Sequence, residues 1–391
     1  MKTFRFGIGE AAIAVPVVLL LLAMLFLPDY DRPPIASVQS GFRGTGMALV
    51  YNPRRVAEQL EAQGSADVEG LPPLVEDGPR AADAYQNVQV LGDLSAAQFL
   101  RLMTAITAWV SPEQGCNYCH AGNNLASDDL YTKRVSRWMI HMTRDLNTTW
   151  ANHTLQAWQG EDYNGAGVNC YTCHRGNNVP LNVWSNDPDL MASMTGPLAH
   201  RAGQNRPADA TLLASLPAGF QAYHLTEERP NTLDIRVNND IALASGNRAS
   251  IKQAEMTYAL MMHMSGALGV NCTYCHNTRA WGAWSSMSPK GSTAYHGIQM
   301  VQALNSAYIE PSGVALPPHR LGPLGDVPKV NCTTCHQGVY KPLFGANMVA
   351  DFPSLTDPNE VDADRLIPGL VDAATSISIG EAIKAGGLAP G

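Results

Sequence analysis

The chain has eight cysteines, and all eight fall in four Cys-x-x-Cys-His motifs. The motifs are Cys116-Asn117-Tyr118-Cys119-His120, Cys170-Tyr171-Thr172-Cys173-His174, Cys272-Thr273-Tyr274-Cys275-His276 and Cys332-Thr333-Thr334-Cys335-His336. This spacing is the attachment signature of c-type haem. Two thiols at that separation reach the two vinyl groups of one porphyrin, and the adjacent His turns its imidazole onto the iron as proximal ligand. A disulfide framework suits small secreted chains that are short of core, and 391 residues are not short of it. It also leaves the His after every second Cys unexplained. Structural zinc needs paired Cys-x-x-Cys units closing one tetrahedral site, for which a His at the next position is poorly placed. The motifs therefore predict four covalently bound haems c.

Haems change how much core the chain itself must supply, because each brings a large apolar disc. Charged residues are 15% and apolar residues 45%, with 34 Gly and 26 Pro. That composition predicts a mainly α, loop-rich chain wrapped around cofactors, without the alternation of a sheet protein. A formal charge of −8 argues against a nucleic-acid partner and favours steering of a basic protein.

The N-terminus bears on the compartment. Lys2 and Arg5 precede an apolar run of 17 residues, Ala11 to Leu27, followed by Pro28-Asp29-Tyr30-Asp31. The run is short for a membrane span and long for a signal-peptide core. The flanking positive charge predicts a cytoplasmic N-terminus with the bulk of the chain outside. No Ala-x-Ala site follows, and no Cys precedes Cys116 to carry a lipid. Residues 1–28 are read as an uncleaved transmembrane anchor.

An internal repeat organises the remainder. His120 and His276 are 156 residues apart, and His174 and His336 are 162 apart. The text from Gly167-Val168-Asn169-Cys170 to His174-Arg175-Gly176 recurs from Lys329-Val330-Asn331-Cys332 to His336-Gln337-Gly338. The expected organisation is two dihaem halves, 90–180 and 250–345, related by a pseudo-twofold axis. Residues 29–89 form an N-terminal segment, 181–249 a connector, and 346–391 an acidic tail.

Each iron needs an axial partner opposite its His, and Met is the usual choice where a high potential is wanted. Leu94–Val110 has a helical pattern ended by Ser111-Pro112 and carries Met103 ahead of the first motif. Ile251–Leu268 has another and carries Met261 ahead of the third, although the cluster Met261-Met262-His263-Met264 leaves the choice open. Thr132–Asn147 contains Met139 and Met142, and its counterpart runs from His296 to Asn305. Superposing Leu146-Asn147 on Leu304-Asn305 pairs Met142 with Met300 and Met139 with Gly297. The fourth haem thus lacks the methionine that its repeat-mate has. Met300 and the spare His153 remain as its candidates.

The chain resembles the tetrahaem cytochrome subunit of purple-bacterial photosynthetic reaction centres. The likeness is carried by Gly41-Phe42-Arg43-Gly44-Thr45-Gly46-Met47, Thr257-Tyr258-Ala259-Leu260-Met261-Met262, Met139-x-x-Met142-Thr143-Arg144 with Trp150-x-x-His153, and Asn271-Cys272-Thr273-Tyr274-Cys275-His276. The resemblance implies three His/Met haems and one His/His haem, with the pairs Met103/His120, Met139/His174, Met261/His276 and His153/His336. It implies docking on the periplasmic face of the reaction-centre core subunits at the inner (photosynthetic) membrane. The Cys272/Cys275 site would lie nearest the special-pair bacteriochlorophyll that it re-reduces, and the Cys116/Cys119 site nearest a soluble periplasmic donor, such as a small basic cytochrome c. Two departures stand out: there is no N-terminal lipidated Cys, and the stretch Gln159–Gly165 reads as an insertion.

Electron relay is the expected function, not enzymatic catalysis, because every iron has an assignable sixth ligand and no position is left open for a substrate. A multihaem reductase would call for an incomplete motif or an unpartnered haem. A quinol-linked membrane cytochrome feeding a periplasmic reductase is the alternative, and it would be expected to lack the stretches matching the reaction-centre family. Acidic pairs at Glu76-Asp77, Asp128-Asp129 and Glu161-Asp162 are candidate docking points for a basic donor.

Overall fold

The computed structural model describes residues 8–26, 35–39, 46–154, 166–187, 208–217, 219–226 and 251–356, with backbone alone for 8–11 and 251–253. Gly41–Thr45, the Gln159–Gly165 stretch with Glu161-Asp162, much of the expected connector and 357–391 lie outside the described residues. Within them the architecture is mainly helical with long loops. The only sheet among them is an antiparallel hairpin of Ala36–Gln39 and Ala48–Tyr51, with Gln39 opposite Ala48.

Local chemistry accounts for the main helices. Ala96–Val110 begins in a capping box: the Ser95 hydroxyl accepts from the Gln98 amide, and the Gln98 side chain accepts from the Ser95 amide. Pro112 prevents its continuation. Tyr131–Thr148 and Ile251–Leu268 follow where the apolar periodicity places them. Gly269 (φ +62°) closes the latter, its amide donating to the Gly266 carbonyl at 3.2 Å. A Cβ at 269 would collide with the Gly338 carbonyl, so glycine lets this helix end lie against the turn after the fourth motif. Pro289–Ala303 is a further long helix.

The core runs without a break from Leu102, Trp109 and Trp138 to Leu260, Ile298 and Phe352. Trp109 donates its indole N–H to the Ala66 carbonyl at 2.7 Å and meets Phe352 edge-on at 4.8 Å. Trp138 donates to the Tyr308 carbonyl, with the two rings 5.9 Å apart. Phe352 and Leu355, assigned from sequence to the tail, are buried, as are Phe220, His224 and Leu225 of the expected connector. Both stretches therefore contribute core. Burying one such aromatic or Leu side chain contributes about 1.5–3 kcal/mol.

Ile8–Phe26 forms a 19-residue helix with Pro16 inside it, and its large apolar side chains from Ile13 to Phe26 are exposed. Among the described residues no helix is long and apolar enough to cross a membrane. The anchor expected over residues 1–28 is thus represented here by the apolar helix Ile8–Phe26.

Candidate haem sites

The second and fourth motifs are wound alike. Cys170–His174 and Cys332–His336 are single helical turns, capped by Asn169 with Thr172 and by Asn331 with Thr334. Residues three apart share one face of such a turn, so both thiols of a motif project together. The first and third motifs coil more tightly, as 3-10 turns over Gly115–Tyr118 and Cys272–Tyr274. No two of the eight cysteines are joined as a disulfide. Burial pushes Cys119 and Cys275 up to about 11 and Cys170 and Cys332 up to about 12. The Sγ atoms of Cys173 and Cys335 lie 2.7 Å apart, which brings the second and fourth motifs edge to edge.

The five histidines singled out from the sequence share one hydrogen-bonding pattern. Nδ1 of His120 bonds the Leu125 carbonyl at 2.9 Å, and that of His276 the Trp281 carbonyl at 3.1 Å. Nδ1 of His174 bonds Asn177 at 2.8 Å, that of His336 bonds Val339 at 3.0 Å, and that of His153 bonds Thr293 at 2.9 Å. A carbonyl only accepts, so Nδ1 carries the proton and Nε2 keeps a lone pair. This anchoring orients a metal-bound imidazole and raises its basicity. Burial lowers His153 and His174, and burial together with neighbouring His153 brings His336 down to about 4. These three are neutral at physiological pH, the form that ligates metal.

Several bonds recur between the repeated stretches of sequence. The Gly176 amide donates to the Trp109 carbonyl at 2.8 Å, and the Gly338 amide donates to the Ala267 carbonyl, also at 2.8 Å. Met103 stands six positions before Trp109, and Met261 six before Ala267. That favours the first residue of the Met261–Met264 cluster. In the next pair of helices, the Asn147 side chain accepts from the Val168 amide at 2.8 Å and donates to its carbonyl at 2.8 Å. Asn305 does the same to Val330, at 2.9 and 3.0 Å. Aligning these asparagines puts Gly297 opposite Met139, and the imidazole of His153 lies over Gly297. The rings of His153 and His336 are 6.3 Å apart and inclined at 74°. Met103, Met139 and Met261 are partly buried against the core, while Met300 is one of its buried members.

Some features escaped the sequence reading. Trp281 stacks flat on His276, with centroids 5.0 Å apart and planes 3° apart. Arg175 reaches from the second motif to the carbonyl of Cys335. Asp128, taken as a docking point, is held by Arg137 at 2.7 Å and Lys133 at 3.3 Å. The asparagine clamps had a signal, the repeated Leu-Asn, but the other contacts join residues with no shared pattern.

Two thiols beside an imidazole with a bare Nε2 fit a covalently held haem. Residues 31–356 match the family described as photosynthetic reaction centre cytochrome C subunit. The chain belongs to that family. It is 48% identical over 350 residues to the photosynthetic reaction center cytochrome c subunit of Rubrivivax gelatinosus, covering 88% of this chain and 90% of the relative. The corresponding subunit of Thermochromatium tepidum is 45% identical, over 88% of this chain and 80% of its own. Cytochrome c-554 of Chloroflexus aurantiacus is more distant, at 29% over 68% of this chain. Membership of the reaction-centre cytochrome family brings covalently bound haem c, an electron-transfer role and association with the reaction-centre core at the photosynthetic membrane.

Proposed function

We propose that the chain carries four haems c and re-reduces the photo-oxidised special-pair bacteriochlorophyll, drawing electrons from a soluble periplasmic carrier. When bound, the haems supply the one-electron chemistry. The chain's residues fix where each sits and what ligates it. The axial pairs are Met103/His120, Met139/His174, Met261/His276 and His153/His336. The observation that carries this reading is the shared anchoring of the five imidazoles, each with Nδ1 tied to a backbone carbonyl, which leaves the lone pair on Nε2. With a protein atom assigned to each axial position, the chain relays electrons and does not transform a substrate.

The recurring Asn147/Asn305 and Gly176/Gly338 bonds support two dihaem halves, 90–180 and 250–345, around a pseudo-twofold axis. The 2.7 Å approach of Cys173 and Cys335 supports the second and fourth sites as neighbours, with the first and third flanking them. The Cys272/Cys275 site is assigned to the core side and the Cys116/Cys119 site to the donor side. The exposed apolar helix Ile8–Phe26 is assigned to the membrane, with the haem-bearing body on the periplasmic face.

Flash-induced absorbance on native membranes is the test. A flash should oxidise haem rapidly, followed by slower re-reduction from the soluble pool. Haems that stay reduced after a saturating flash would remove the assignment.

A further inference from the structure

The second and fourth motifs are wound alike but are not electrically alike. Their helical turns end on residues with the same left-handed backbone, Arg175 (φ 49°, ψ 42°) and Gln337 (φ 49°, ψ 44°). The repeat thus puts a guanidinium where its copy puts a neutral amide. Arg175 is aimed inwards: Nε donates to the Thr172 carbonyl at 3.2 Å, Nη1 to the Gln63 carbonyl at 2.6 Å, and Nη2 to the Cys335 carbonyl at 3.4 Å. Cys335 belongs to the other motif, and its Sγ is the one lying 2.7 Å from Cys173. Buried Gln63 ties the same seam from the opposite end, its side-chain amide donating to the Gln337 carbonyl at 3.1 Å.

All of these partners are neutral. The Tyr171 ring covers the guanidinium at 5.5 Å, and among the described residues no carboxylate pairs with it. A half-buried cation with no paired carboxylate is screened less than a fully exposed one, so its field reaches both sides of the seam. A ferric iron carries one more positive charge than a ferrous one, so a fixed cation nearby favours the ferrous form.

We propose that Arg175 is a positioning residue that places one positive charge between the Cys170/Cys173 and Cys332/Cys335 sites, holding both at a higher reduction potential than their axial ligands alone would set. The proposal rests on the haem reading given above. Gln337 shows what the same backbone position carries when no charge is needed, and it supplies the natural substitution.

The test is a spectroelectrochemical titration of the haem-loaded protein, comparing wild type with Arg175→Gln, Arg175→Lys and Gln337→Arg. Arg175→Gln should lower two of the four transitions. The ferric/ferrous ratio at each should change on the order of tenfold, the scale of a unit charge about 10 Å away inside a protein. Arg175→Lys keeps the charge without the fork and should retain most of the wild-type potential. Gln337→Arg, which leaves Arg175 untouched, should raise the same two transitions. The proposal is overturned if Arg175→Lys matches Arg175→Gln, which would make the fork purely structural, or if Arg175→Gln moves all four transitions or none. A wild type that loads fewer than four haems would instead count against the haem reading, independently of any Arg175 variant.

Discussion

The imidazole of His153 stands in the space that a side chain on Gly297 would occupy: a Cβ there would lie 2.6 Å from His153 Cε1 and 3.1 Å from Nδ1. Gly297 is also the position that the repeat aligns with Met139. Where the repeat has Met139, Gly297 leaves room for the His153 imidazole. His153 is fixed there by the Thr293 carbonyl, one turn before Gly297 on the Pro289–Ala303 helix.

Gly297→Ala should consequently act on ligation more than on fold. Overpacking of this kind costs roughly 1–3 kcal/mol, and the imidazole is the movable party. The expected outcome is a fully loaded protein in which the electron paramagnetic resonance signal of one bis-histidine haem is lost while the other three signals stay. Retention of that signal in Gly297→Ala would show that His153 does not depend on the vacancy.

The rival for that position is Met300, and paired substitutions separate the two. His153→Met should raise the potential of the Cys332/Cys335 haem and leave the other three nearly unchanged, because a thioether favours the reduced iron relative to a second imidazole. Met300→Leu should leave all four ligand sets intact, since Met300 is a buried member of the apolar core. If Met300→Leu removes a sixth ligand instead, the His153/His336 pair is wrong.

Motifs and long helices were legible because they are local. The Cys-x-x-Cys-His spacing, the Ser111-Pro112 stop and the periodicity of Ile251–Leu268 are each local signals. Within the Met261–Met264 cluster the local pattern leaves the choice open, and the first Met rests on the family resemblance. The matching bonds of Gly176 to Trp109 and Gly338 to Ala267 join residues too far apart for any local pattern to show. Phe352 and Leu355 read as tail because they lie among Pro, Ser and Asp without period. They are buried because Trp109 and Asn147, far away in sequence, offer a ring face and a side-chain amide to receive them. The stack of Trp281 on His276 and the reach of Arg175 to Cys335 had no sequence signal, since neither residue type predicts such a contact.

Asp128 gives the loop after the first motif a pH dependence. Burial alone would raise its carboxyl, but hydrogen bonds from Arg137 and Asn87, with the Arg137 charge, outweigh that and bring it from 3.8 down to about 2. A depressed carboxyl stabilises the fold above its ordinary titration range, and that stability is lost as pH falls from about 4 through about 2. Because Asp128 is substantially exposed, the contribution should stay under about 1 kcal/mol. Urea unfolding followed by circular dichroism should show the wild type losing more stability than Asp128→Asn across that window. Parallel loss in the two proteins would mean that the Arg137–Asp128 pair contributes nothing.

With Asp128 held by Arg137 and Lys133, the proposed docking of a basic donor should use other acidic surface. Glu76 and Asp77 are exposed, and the chain's formal charge is −8. Steering of a basic donor by such a surface is a long-range effect, screened over a Debye length of about 8 Å at physiological salt. The second-order rate of haem re-reduction by the soluble carrier should fall steeply with ionic strength. The intramolecular step to the chlorophyll pair should not change, because no charged partner has to diffuse in. Glu76→Gln with Asp77→Asn should flatten the salt dependence of the first rate and leave the second alone. Laser-flash kinetics at a series of salt concentrations measures both rates on one sample. A donor rate indifferent to salt would replace the acidic surface with an apolar docking patch.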